Sequence, residues 1–284
     1  LSREDAPAAR VEVCRALAAL QDPRGINRLR SLLFDPEPAV RDAAFTALAR
    51  LQAAEPLESA QAGLNASFED VRRRGLQVLI EVLRQASPRT EEGPALELLG
   101  RALNDSFPGV RGEAFKATLN LQVAGGGVRT LRFALRSVHP DVRREVLTEV
   151  MAQVQEAWAW NLLLEFYNDP DPRLREEAFT FAVRKNKELP PLEAALLAQY
   201  ADVRRMAVEA LLKKHTAAAQ ALLVRALADA DKDVRQLALG ALVGEDAQGP
   251  LTEALASPHP DVRVQAARAP VSYTHLTLPT ILRV

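Results

Sequence analysis

The sequence predicts an all-α fold: a right-handed α-solenoid of about nine antiparallel helix pairs over residues 1–269. Three observations predict it. A Val-Arg pair returns at a nearly constant interval, small residues stand at a fixed offset behind each Arg, and a turn cluster rich in Asp, Asn, Ser and Pro precedes each pair. A repeat of this length cannot bury its own apolar face and has to stack on its neighbours.

The pair occurs at Val40-Arg41, Val71-Arg72, Val110-Arg111, Val142-Arg143, Leu174-Arg175, Val203-Arg204, Val234-Arg235 and Val262-Arg263, after a degenerate Ala9-Arg10. Successive Arg spacings from Arg10 are 31, 31, 39, 32, 32, 29, 31 and 28 residues. The long interval holds a polar stretch, Arg84 to Pro94, with two prolines and a glycine, which reads as a lengthened surface loop. Three residues after each Arg stand Ala44, Gly75, Ala114, Val146, Ala178, Ala207, Ala238 and Ala266, a column that permits close helix contact. One residue further come Phe45, Leu76, Phe115, Leu147, Phe179, Val208, Leu239 and Ala267, and apolar residues recur three and four positions later, the amphipathic helix period.

The turn clusters, such as 35–38, 137–140, 168–172 and 257–260, place Pro where a helix begins. Ahead of them lie shorter apolar segments, including Gly25 to Phe34, Ala95 to Leu103, Val128 to Leu135, Trp158 to Tyr167 and Ala218 to Leu227. Each unit is therefore expected to be a short first helix, a turn and a longer second helix. At about 9 Å per packed helix, nine units would extend about 80 Å.

These columns resemble the HEAT repeat family, closest to its short PBS-lyase HEAT-like variety. Asp35 and Arg41, Asp105 and Arg111, Asp169 and Arg175, and Asp229 and Arg235 match the family's Asp and Arg, six positions apart. The resemblance implies a HEAT-like superhelix in which the Asp accepts bonds at the turn and the Arg pairs with Asp groups of adjacent units, forming a ladder. Ala66, Ser137, Ala198 and Ser257 replace that Asp, so gaps in the ladder are expected. HEAT arrays serve as scaffolds, transport receptors, phosphatase subunits, bilin lyases and DNA glycosylases, and a fold does not choose among these.

The chain begins with Leu1 inside a partial repeat, so it is expected to be a piece of a longer protein with flanking repeats or domains. After Ala269 the pattern stops. Residues 271–280, Val-Ser-Tyr-Thr-His-Leu-Thr-Leu-Pro-Thr, resemble the translation of a transposon-end sequencing adapter, so 270–284 are read as a non-native tail. Truncation at Ala269 is expected to leave the array's stability unchanged.

Composition narrows the chemistry. Hydrophobic residues make up 48% of the 284, which suits a folded chain, and 36 Lys+Arg against 37 Asp+Glu leave no bulk field to draw in nucleic acid or a membrane. One cysteine, Cys14, excludes an internal disulfide framework, and it falls in the column of Phe45 and Phe115, where a buried apolar role is expected. His139 and His259 share a turn position, and His215 follows Lys213-Lys214 at a helix end. Gly125-Gly126-Gly127 lacks the strand and the Lys-Ser or Lys-Thr of a phosphate loop and reads as a connection. Trp158, Trp160, Phe166 and Tyr167 form an aromatic cluster, but positions 158 and 160 point about 200° apart on a helix, so at most one lines a shared site.

No catalytic residue, cofactor or metal ligand is therefore expected. The column after the ladder Arg runs Asp42, Arg73, Gly112, Arg144, Glu176, Arg205 and Gln236, too mixed in sign for a phosphate track, and Arg72-Arg73-Arg74 alone is too small a basic spot. The next column carries Glu113, Glu145 and Glu177, followed by Met206 and Leu237. The second helices of HEAT-like pairs usually line the concave surface, so the expected function is a non-enzymatic protein-binding module or scaffold. Its expected site is Glu113, Glu145, Glu176, Glu177, Met206 and Leu237, offered to a basic, partly apolar protein segment. Nucleic acid and membrane are not expected partners, and the cytoplasm is the expected location. The alternatives are a bilin-lyase-like HEAT protein, which needs a pigment, and a HEAT-like DNA-alkylation-repair glycosylase, which needs a basic concave face with aromatic and carboxylate groups.

Overall fold

The computed structural model describes residues 6–85, 93–121, 127–244 and 248–268, and among these the regular structure is helical. The second helices are α1 (Pro7–Leu20), α3 (Pro38–Leu51), α5 (Glu69–Gln85), α7 (Pro108–Leu121), α9 (Pro140–Ala152), α11 (Pro172–Lys185), α13 (Ala201–Leu211), α15 (Lys232–Gly244) and α17 (Pro260–Arg268). The first helices alternate with them: α2 (Ile26–Leu32), α4 (Pro56–Leu64), α6 (Pro94–Ala102), α8 (Gly127–Leu135), α10 (Ala157–Glu165), α12 (Pro190–Leu196), α14 (Ala217–Ala226) and α16 (Gln248–Ala254). The nine units are thus eight complete pairs and α1, which has no first helix among the described residues.

Local chemistry sets the helix starts. Pro opens α3, α7, α9, α11 and α17, where its missing N–H is no loss and its fixed φ suits the first turn. Carboxylates shape the turns before α3, α7, α11 and α15: Asp35, Asp105, Asp169 and Asp229 each accept the backbone N–H two residues on, at 2.8–3.0 Å. In the two units that carry Ser instead, the Ser137 and Ser257 hydroxyls accept the N–H groups of His139 and His259 at 3.2 Å.

The chain divides into two compact units, Leu1–Thr148 and Glu149–Val284, with the division inside α9. In the first, α5 packs against α3, α4, α6 and α7. Gly63 and Gly75 explain the closeness of α4 and α5. A Cβ at Gly75 would lie 2.7 Å from both the Ala60 carbonyl and the Leu64 nitrogen, and one at Gly63 would lie 2.7 Å from Gly75 Cα. In the second unit, α13 packs against α11, α12, α14 and α15, and α17 closes on α15 and α16.

The small-residue column is buried throughout, from Ala44 to Ala266. The column behind it is buried from Phe45 to Leu239, but Ala267 on α17 is exposed. Cys14 is fully buried with Leu29, Leu33 and Leu48, and burial, then the nearby Asp35 charge, pushes its thiol pKa up. At the end of α1, Leu20 is exposed, whereas Leu17 packs at Gly25. The long 84–94 connection falls between α5 and α6 as expected; residues 86–92, Gly125 and Gly126, and the 270–284 tail lie outside the described residues.

Candidate functional site

Arg41, Arg72, Arg111, Arg175, Arg204 and Arg235 are each used twice. Nη1 donates to carbonyls of the arginine's own turn: Arg41 to Asp35 and Pro36, Arg111 to Asp105 and Ser106, Arg175 to Asp169 and Pro170, Arg235 to Asp229 and Ala230. The remaining N–H groups reach a carboxylate of the following repeat, except at Arg72, where Nε donates to the Ala66 carbonyl and Nη1 to Asp105. In the first unit the pairs are Arg10–Asp35, Arg41–Asp70, Arg72–Asp105 and Arg111–Asp141. In the second they are Arg175–Asp202, Arg204–Asp229 and Arg235–Asp261.

The expected gaps are therefore filled. Where Ala66, Ser137, Ala198 and Ser257 replace the Asp six positions before the Arg, Asp70, Asp141, Asp202 and Asp261 stand two positions before it and accept the bond. The aspartate alternates between the two positions from Arg41 to Arg263, except that the turn before Arg235 carries both Asp229 and Asp233. The two positions also differ in environment: the side chains of Asp35, Asp105 and Asp229 are 3, 5 and 8% exposed, against 46, 51, 32 and 23% for Asp70, Asp141, Asp202 and Asp261. The turn explains it. An Asp at its start sits under the preceding helix pair, whereas one in the first turn of the second helix projects toward solvent. Arg41 and Arg175 additionally stack 3.9 Å from the rings of Phe68 and Tyr200, four positions before the next Arg.

These bonds set the local ionisation. Partial burial raises the Asp141 carboxyl, but hydrogen bonds from Arg111 and the Val142 N–H, with the nearby positive charge, outweigh it and hold the group below its usual value. The Asp229 hydrogen bond pushes the Arg204 guanidinium up.

Beside the ladder, the first unit carries a second set of ion pairs between consecutive second helices. Asp42 meets Arg74 at 3.2 Å, and Arg73 meets Glu113 at 3.4 Å as well as Glu69 at 2.9 Å. Glu113 is accordingly half-buried and paired. Glu145 is exposed and has no ion-pair partner among the described residues; the position before it in register, Gly112, is open space.

In the second unit Glu176 is exposed and Glu177 half-buried, and both line a cleft of about 480 Å³ with Met151, Thr180 and Phe181, flanked by Arg173 and Arg184. Met206 and Leu237 are half-buried on α13 and α15 and are not among the lining residues. The sequence reading did not include Met151 and Phe181, which lie on no shared repeat column.

The remaining candidates fall mainly into structure. His139 and His259 hold turns, and His215 takes φ 38° at the end of its turn. Phe166 and Tyr167 are core, whereas Trp158 and Trp160 are half-buried, and Trp160 borders a cleft. Burial pushes the Tyr167 phenol well up, and its hydroxyl has no hydrogen-bond partner among the described residues. Among those residues no group of three His, Cys, Asp or Glu is placed to hold a metal ion, and no helix is long and apolar enough to cross a membrane.

Stacked helix pairs joined by an arginine ladder define a helical repeat protein. The family model of HEAT repeats matches residues 1–81, and the same ladder geometry continues beyond that stretch. No curated protein matches. Among solved structures, the chain is similar to an engineered protein (19% identity, 91% of this chain and 83% of that one, TM-score 0.29). It is also similar to YibA of Escherichia coli (19%, 91% and 95%, TM-score 0.31) and a second engineered protein (19%, 75% and 94%, TM-score 0.23).

Proposed function

We propose that this chain is a protein-binding scaffold that holds a basic, partly apolar partner segment on the faces of its second helices. The cleft beside α11 carries the reading. The ladder ties up the buried charge of each junction, whereas Glu176 projects free into a cleft whose other walls are Met151, Thr180 and Phe181. A Lys or Arg of the partner opposite Glu176 and Glu177, with an apolar neighbour on Met151 and Phe181, uses both kinds of surface. Polar or acidic groups of the partner fit opposite Arg173 and Arg184. Exposed Glu145 offers a similar anionic point on the first unit, while Glu113, held by Arg73, contributes to stability instead.

The test uses a fluorescein-labelled peptide of alternating Lys and Leu and stopped-flow anisotropy on the intact chain. Glu176→Lys with Glu177→Lys should slow association and flatten its salt dependence, with helix content unchanged, because exposed charges act mainly on the encounter rate. Equal association rates for parent and variant at low salt would reduce these glutamates to a solvated face.

A further inference from the structure

A second, larger cleft of about 770 Å³ opens on the loop edge of the second unit. It is bordered by Trp160 and Asn161 of α10 and by Arg184, Lys185 and Lys187 at and beyond the end of α11. Lys214 Nζ donates to the Lys187 carbonyl, which ties the end of α13, with Lys213, to the same loop. Arg184, Lys185, Lys187 and Lys213 have no carboxylate partner among the described residues, in a unit where Arg175, Arg204 and Arg235 each have one. Helix C-termini favour cations. That preference accounts for positive charge at these ends, but not for a half-exposed indole facing it across a cleft.

We propose that this edge binds an acidic segment of a partner protein, its carboxylates on Lys185, Lys187 and Lys213 and an aromatic or apolar side chain on Trp160. The carboxylates on the same rim, Glu156 and Glu188, decide between polymers. A nucleic-acid strand carries a phosphate at every step and would bring some of them against these two groups. A polypeptide places its charges individually and offers N–H donors to Glu156 and Glu188. The site differs in sign and location from the glutamate cleft, although Arg184 borders both.

The experiment measures anisotropy of a labelled peptide of about ten residues, rich in Asp and Glu around a central Phe. The same peptide with Lys for its acids and an oligothymidine of matched charge serve as rivals. The acidic peptide should bind the intact chain more tightly than either. Lys185→Glu, Lys187→Glu and Lys213→Glu together should weaken it about tenfold, the combined loss of three exposed ion pairs. Trp160→Ala should weaken it with circular dichroism unchanged. Absence of binding, tighter binding of the oligothymidine or Lys peptide, or an unaffected triple variant overturns the proposal. Because Glu176 and Glu177 are untouched, the Lys-Leu peptide rates report separately on the other cleft.

Discussion

Two junctions of the second unit provide a matched comparison for the ladder. Asp229 binds Arg204 through both carboxylate oxygens at 2.7 and 2.9 Å, and its side chain is 8% exposed, that of Arg204 13%. Asp202 also binds its Arg175 in a fork, but is 32% exposed. Replacing either Asp by Asn removes the charge and keeps the shape. At Asp229 this leaves a largely buried guanidinium with one amide oxygen and the Ala198 and Gln199 carbonyls, at 2.9 and 2.8 Å, in place of its carboxylate. Breaking such a pair costs about 3 kcal/mol. At Asp202 water can replace the carboxylate, and Arg175 keeps the Tyr200 ring and two carbonyls, so the cost is about 1 kcal/mol or less. Repeat arrays open section by section, so amide hydrogen exchange on the helices flanking each junction is the appropriate assay. Exchange of α13 and α15 should accelerate about 150-fold in Asp229→Asn, and that of α11 and α13 about fivefold in Asp202→Asn. Equal accelerations, or a larger one for Asp202, would refute the idea that carboxylate burial separates the two kinds of junction.

Gly75→Ala should destabilise the chain by about 3 kcal/mol, seen as a lower urea midpoint, because its Cβ would meet α4 backbone at 2.7 Å; Gly112→Ala, in open space, should stabilise by up to about 1 kcal/mol. Tyr167→Phe should leave the melting temperature unchanged or raise it, since the hydroxyl it removes is buried without a partner. The Arg111–Asp141 contribution should be fully present above the ordinary Asp value of about 4 and disappear as pH falls through the lowered folded value. The stability gap between the parent and Asp141→Asn should accordingly be constant near neutrality and close in acid, as measured by urea unfolding against pH.

The helix pairs were legible because three independent signals coincide at each repeat: Pro or Asp at the turn, Val-Arg two to six residues on, and a small residue three after the Arg. The ladder was only half legible. Reading one Asp position as fixed made Ala66, Ser137, Ala198 and Ser257 look like gaps, although Asp70, Asp141, Asp202 and Asp261 were visible in the same turns. What linear spacing conceals is that an arginine side chain is long enough to reach either position. The surface sites were less legible still. Glu113 and Glu145 share a column, yet one faces Arg73 and the other open solvent, a difference fixed by what stands one repeat earlier. The clefts gather Met151 with Phe181, and Trp160 with Lys187, from positions that share no repeat column.

The turn before Arg235 holds aspartates at both places, Asp229 and Asp233, while Arg204 uses only Asp229. Such a doubly furnished turn is a stepping stone between sequences. A repeat can gain the second carboxylate while the original still holds the guanidinium, so both positions can be furnished by single substitutions before either is lost. Mutational drift between the two forms is thereby opened, and substitution of Asp233, which Arg204 does not use, should be better tolerated than loss of Asp229 or of the sole aspartate in the neighbouring turns.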